Sequence, residues 1–208
     1  MKTNAPLEFF ETADRKLIAD YIDLRRRVFR LHYPCLPHEF GVEDETDRAS
    51  HIVLACHGAA VSGGARLTVS VPGCRRKLPL EEAGFDLLTC ELVKEMNLDR
   101  TAYGEIGRMA VDPACTQGLE VSCGLARELC RVAARLGVDT ILSICPDGAV
   151  RLNRRNAASC GVSFRRVVKL ATAFGIPMWL CLFTGIQAVY KWHEPALCAE
   201  ILRPAGRQ

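Results

Sequence analysis

The chain has 208 residues, about half of them hydrophobic (49%) and a quarter charged (25%), with a net charge of +3. That length fits one domain, and the composition is that of an ordinary globular protein. The charge is too small to argue for a nucleic-acid partner, and the basic clusters carry no interleaved aromatics of the kind that stack on bases.

Taken in order, residues 13–31 predict a helix, with Leu17, Ile18, Tyr21, Leu24, Val28 and Leu31 at helical spacing. Arg25 and Phe29 lie four apart and share a face of it. His32–Val42 carries Pro34, Pro37 and Gly41 and reads as irregular. It leads into an acidic loop at 43–47. This loop lacks the Gly turn and distal Glu of an EF-hand, so no metal is expected there. His51–Cys56 and Val61–Val69 predict a strand pair. Gly63 and Gly64 mark a bulge or close backbone approach, just before Arg66, which either enters a cleft or lies on an edge strand. Residues 72–79 form a basic loop, and 80–98 a helix that Gly84 can interrupt.

Gly104–Asp112 predicts a strand in which Glu105 and Arg108 are unexpected, because a buried charge is costly unless paired or used. In a regular strand these two side chains point to opposite faces. A bulge or splay near Gly107 is needed to bring both into one pocket.

Residues 117–136 predict a second long helix, with Val121, Leu125, Leu129, Val132 and Leu136 in register and Gly137 placed to stop it. Then come a strand over 140–145, a short basic helix over 149–159, a strand over 162–170, and one strand or two over 176–190. Leu170–Tyr190 has no charged residue and the length of a membrane span. Gly175 and Pro177 break it into two buried strands, so no stable span is expected. Residues 191–208 read as a polar tail, and 8–190 as the core of a single domain. Met1–Pro6 has no apolar core of signal-peptide type. The eleven cysteines show no C-x-x-C spacing; they read as small buried hydrophobes in a reducing cytoplasm. The element order gives an α/β fold, a mixed central sheet with helices on its faces.

Five short pieces in this order resemble one family. They are Leu24-Arg25-x-x-Val28-Phe29, Asp44-x-x-Asp47, Arg66 after a glycine-rich turn, Glu105-x-x-Arg108, and the run Met109, Ala110, Val111, Asp112. Together they resemble the acyl-homoserine-lactone (autoinducer) synthases and the N-acyl amino acid synthases, relatives of the GCN5-related N-acetyltransferases. The autoinducer synthases carry a tryptophan where this chain has Tyr33-Pro34-Cys35, and an aromatic in place of His51. The run from Asp44 to His51 is closer to the N-acyl amino acid synthases.

The resemblance implies a GCN5-related N-acetyltransferase-like fold. It implies transfer of a fatty acyl group from an acyl-carrier-protein thioester, or from acyl-CoA, to an amino-acid-type amine, either a free amino acid or S-adenosylmethionine. No bound cofactor is expected. Glu105 is then the candidate base, with Arg108 beside it. Arg25, Phe29, Asp44, Asp47 and Arg66 are candidate acceptor-binding residues: carboxylates suit the acceptor's ammonium, and arginines either pair with those acids or hold its carboxylate. The backbone of Met109, Ala110 and Val111 is expected beside the pantetheine and acyl chain.

The acetyl-CoA enzymes of the wider fold place glycines after a Gln or Arg that opens the long helix. Here Gln117 is followed by Glu120 and Val121, and a carboxylate there repels a pyrophosphate. That favours a carrier-protein donor. Arg151, Arg154 and Arg155, continuing to Arg165, Arg166 and Lys169, form a basic surface suited to docking an acidic carrier protein. An acetyl-CoA-dependent acetyltransferase and a non-catalytic ligand-binding protein remain the alternative readings.

Overall fold

The computed structural model describes residues 5–37, 41–73, 77–82, 88–173 and 176–190. The polar tail, Gly84, Gly175 and residues 74–76 of the basic loop lie outside these residues. The spine is a seven-stranded sheet in the order β1-β2-β3-β4-β5-β7-β6. Its strands are β1 (Leu7–Thr12), β2 (His51–His57), β3 (Ala60–Ser70), β4 (Tyr103–Val111), β5 (Thr140–Pro146), β6 (Ser163–Ala173) and β7 (Ile176–Thr184). Every pairing is antiparallel except β4 with β5.

Helix α1 (Arg15–His32) begins where the Asp14 carboxylate accepts from the N–H groups of Lys16 and Leu17, at 2.8 and 3.1 Å. Such a cap satisfies donors that the first turn leaves unpaired. The helix buries Tyr21, Leu24 and Val28 against Ile52, Leu54, Cys56 and Ala110, and buries Arg25 as well. The one-turn helix α2 (Glu45–Arg48) forms where an acidic loop is expected. The other helices are α3 (Pro79–Glu82), α4 (Cys90–Glu95), α5 (Gly118–Arg135), α6 (Val150–Cys160) and α7 (Ile186–Tyr190).

Helix α5 buries Val121, Leu125 and Leu129 in the largest core cluster. It lies close to the sheet: a Cβ on Gly63 would come within 2.7 Å of Val121. Gly137, at φ 74°, follows its C-terminus, as its place in the sequence predicts.

Four expectations change. β1 is an additional edge strand ahead of α1. It pairs with β2 and is tied down by Glu11, which meets His51 at 2.6 Å and also pairs with Arg135. The helix expected over 80–98 appears as α3 and α4, with Thr89 capping α4 by accepting from the Leu92 N–H. The 176–190 stretch ends as a strand at Thr184, and its remainder closes as α7. β3 is an interior strand, so Arg66 does not lie on an edge. The uncharged stretch 170–190 contributes to β6, β7 and α7. Among the described residues no helix is long and apolar enough to cross a membrane. The eight cysteines described as free include five that are buried, Cys56, Cys130, Cys145, Cys160 and Cys181.

Candidate active site

β4 and β5 run together only briefly. Tyr103, Gly104 and Glu105 pair with Thr140, Ile141 and Leu142. Beyond that point β4 continues along β3 to Val111, while β5 turns its ladder to β7. The sheet therefore opens into a wedge whose apex is Glu105. A cavity of about 20 Å³ lies in the wedge, lined by Ile106 and Met109 of β4, Ser143 of β5, Asn156 of α6 and Cys130 of α5, among others. That volume is enough for about one water.

The second irregularity in β4 is a bulge. Gly64 pairs with Ala110 and Arg66 with Gly107. Two residues of β4, Arg108 and Met109, thus face the single Ala65, which is the two-against-one count of a bulge. The left-handed backbone falls on Arg108, at φ 58°, and not on the neighbouring glycine. A side chain in that region is strained and needs surrounding contacts to hold it.

Those contacts are a charged network reaching from α1 to β4. Asp44 caps α2, accepting from the Asp47 N–H at 2.7 Å, while Asp47 accepts from the Asp44 N–H at 3.0 Å. This reciprocal capping box fixes both carboxylates. Arg25 donates to both oxygens of Asp47, at 2.9 and 2.8 Å, and to the carbonyls of Val42 and Gly41. Arg66 donates to Asp44 at 2.8 Å and to Asp47 at 2.9 Å. Arg108 reaches Asp44 at 3.5 Å. Five of the residues singled out in the sequence are thus one connected group.

Its members differ in access. Arg25 is fully buried and Asp47 nearly so, whereas the Asp44 side chain is 35% exposed. Burial works against the Asp47 charge, but its hydrogen bonds to Arg25, with the Arg25 and Arg66 charges, hold its carboxyl at about 2. Arg108 is pushed down to about 10 by burial and by the neighbouring Arg66 and Arg25 charges.

Glu105 lies one step along β4 on the same side as Arg66. A Cβ built on Gly107 would be 3.6 Å from Arg66 Nε and 3.8 Å from Glu105 Oε1. The other carboxylate oxygen of Glu105 accepts from the Leu80 N–H at 2.9 Å. Burial raises Glu105 to about 7, against the opposing pull of that N–H and of Arg66 and Arg108. The expected bulge is therefore present, and both Arg66 and Arg108 act on Glu105.

The remaining candidates lie outside this group. Phe29 lines a groove of about 360 Å³ with Tyr33, Pro34, Pro37, Arg26 and Arg30. Met109 faces the wedge, and Val111 packs on the α5 side. The Ala110 side chain is buried on the opposite side, against α1, so only its backbone can border the wedge. Arg151, Arg154 and Arg155 are exposed on α6, away from the network. Arg165 pairs with Glu95 at 2.7 Å, and Arg166 stacks over Trp179.

Sequence spacing alone leaves two contributors out. Leu80 supplies the N–H on Glu105, and Tyr21 donates its hydroxyl to the Arg108 carbonyl at 2.6 Å. For Tyr21 a signal exists: it lies four residues before Arg25, on the same helix face.

No protein-family model matches the sequence, and no curated protein matches it. Solved structures do resemble the fold. FeeM, an N-acyl amino acid synthase from uncultured soil microbes, superposes with a TM-score of 0.64 at 10% identity, over 95% of this chain and 99% of its own. TofI, solved with an inhibitor and MTA, gives 0.62 at 23% identity, over 92% and 100%. BjaI, a CoA-dependent acyl-homoserine lactone synthase solved with SAM and isopentyl-CoA, gives 0.60 at 15% identity, over 97% and 92%. At these identities the likeness is one of fold. The chain has the GCN5-related N-acetyltransferase-like fold that these acyltransferases share.

Proposed function

We propose that the protein is an N-acyltransferase. It moves a fatty acyl group from an acyl-carrier-protein thioester to the amino group of an amino-acid-type acceptor. The product is an N-acyl amino acid or an acyl-homoserine-lactone-like signal. The observation that carries this reading is Glu105, a carboxyl raised to about 7 at the apex of the wedge between β4 and β5. A base whose pKa lies near the working pH is suited to take a proton from an ammonium or from the attacking amine.

The geometry supports the following chemistry. The acceptor's ammonium is held by Asp44, the exposed carboxylate of the network, and its carboxylate by Arg108. Glu105 removes a proton, directly or through water, and the neutral amine attacks the thioester carbonyl. The N–H of Met109, at the bulge, donates to the oxyanion. Collapse of the tetrahedral intermediate breaks the C–S bond, the thiol leaves with a proton, and an amide remains. Arg25 and Asp47 do not touch substrate; they fix Arg66 and Asp44 in place.

Two features bear on the substrates. At the start of α5, the Gln117 side-chain oxygen accepts from His57 Nε2 at 3.0 Å and its amide nitrogen donates to Glu120 at 2.8 Å, so a carboxylate stands in the first turn of this helix, where it repels a pyrophosphate. That supports a carrier-protein donor, for which the exposed Arg151, Arg154 and Arg155 offer a docking surface. The groove beside Phe29 and Tyr33 carries two guanidinium groups, those of Arg26 and Arg30. Their positive charge repels the sulfonium of S-adenosylmethionine, which favours a free amino acid as the acceptor.

The test is an incubation of the protein with long-chain acyl carrier protein, long-chain acyl-CoA or acetyl-CoA, each with mixed amino acids or S-adenosylmethionine. Mass spectrometry should detect N-acyl amino acids with the carrier-bound donor. Products from acetyl-CoA alone would replace this reading with an acetyltransferase, and no turnover from any donor would favour a binding protein.

A further inference from the structure

Tyr21 is completely buried in α1, yet its hydroxyl crosses to β4 and donates to the Arg108 carbonyl at 2.6 Å. The strand is shaped to receive it. A Cβ on Gly64 would come within 2.5 Å of the Tyr21 ring, so only glycine lets the ring lie against β3 at that point. The Arg25 guanidinium sits 5.4 Å from the centre of the same ring. Tyr21 thus joins the charged network to the one strained residue of β4, Arg108.

The direction of that hydrogen bond matters. In a trans peptide the C=O of one residue and the N–H of the next point opposite ways, and the described chain has no cis bond. Holding the Arg108 carbonyl toward α1 turns the Met109 N–H toward the other side of the sheet. That is the side of the wedge, where Met109 lines the cavity. Arg108 and Met109 lie at the register break, two residues opposite the single Ala65.

We infer that Tyr21 is a positioning residue: its hydroxyl sets the Arg108–Met109 peptide so that the Met109 N–H faces the thioester carbonyl oxygen. This rests on the acyl-transfer reading for its consequence, though not for its geometry. Burial pushes the Tyr21 phenol up to about 12, so it stays a donor across the working pH range.

The decisive variant is Tyr21→Phe, which removes one oxygen and keeps the ring. Removing an oxyanion donor outright costs roughly 10²–10³-fold in kcat; releasing its orientation should cost about tenfold, with KM for the donor within about twofold. A shift of a few degrees in Tm is expected. Ile52→Val, in the same buried cluster, should lower Tm comparably and leave kcat unchanged. Wild-type kcat in Tyr21→Phe, or an equal loss in Ile52→Val, overturns the inference. The crystal structure of Tyr21→Phe gives a readout that needs no turnover. Arg108 should leave the left-handed region; retention of a φ near 58° overturns the pin even if the wild-type protein proves inactive. Conversely, a wild-type protein that turns over no donor refutes the acyl-transfer reading while Arg108 still reports on Tyr21.

Discussion

Asp47 and Glu105 are both carboxylic acids, both more than nine-tenths buried, and both beside Arg66. Their acidities nevertheless diverge to about 2 and about 7. Burial raises each of them, so burial is not what separates them. Asp47 meets the fork of Arg25 with both oxygens, receives Arg66 and accepts a backbone N–H. Glu105 accepts the Leu80 N–H and feels Arg66 and Arg108 through space. At Asp47 the partners overcome desolvation; at Glu105 desolvation wins. One end of the network is locked in its charged form and acts as scaffold. The other carries a carboxyl raised to about 7.

The sharpest way to break this contrast is at the scaffold. Asp47→Asn leaves Arg25, fully buried, without its counter-charge. Removing one partner of a buried pair costs about 3–5 kcal/mol, and urea unfolding at pH 7 should show a loss of that order. In the wild type, the Asp47 contribution is fully present above the ordinary Asp pKa and is lost as pH falls toward about 2. A variant as stable as the wild type would mean that Asp47 is not the scaffold.

Glu105→Gln probes the opposite end. General-base catalysis contributes roughly 10²–10⁴-fold, so kcat should fall at least about 100-fold. The sign of the pH dependence also differs from that of Asp47. Because the folded-state pKa of Glu105 is raised, its stabilising influence is fully present below the ordinary Glu pKa and is lost as pH rises through about 7. Activity moves the other way, gaining its base as pH rises through the same value. The Gln variant should lose the acidic limb of the rate profile near pH 7 and be at least as stable as wild type at pH 8. Full activity in Glu105→Gln would remove Glu105 from the base role.

The contrast also shows what the sequence can and cannot convey. Helices α1 and α5 are legible because each buries a periodic face, and strands β2 and β3 because each is a short apolar run buried nearly throughout; both signals are local. β1 is not legible, because Leu7–Thr12 is fixed by pairing with β2, a partner forty to fifty residues away. The charged residues are legible as a set, since an apolar strand has no other use for Glu105 and Arg108. Their division of labour is not. It depends on the single turn of α2, which carries Asp47 onto Arg25 and leaves Asp44 half-exposed. The bulge is anticipated from Gly107, yet the positive φ falls on Arg108, because contacts from α1 reach that carbonyl and no local preference overrides them.

The smallest expected effect lies away from the network, on α6. Arg151, Arg154 and Arg155 are exposed, whereas Arg25, Asp47, Arg66 and Glu105 are buried. Changing all three to Gln should leave the wedge and Glu105 untouched. Exposed charges act on encounter and are screened by salt. The triple variant should therefore raise KM for the acyl carrier protein about tenfold at low salt, keep kcat, and lose most of that difference at high salt. With a short pantetheine thioester as donor it should match the wild type. A kcat loss with the small donor would connect α6 to the chemistry, whereas an unchanged KM for the carrier would place docking on another face.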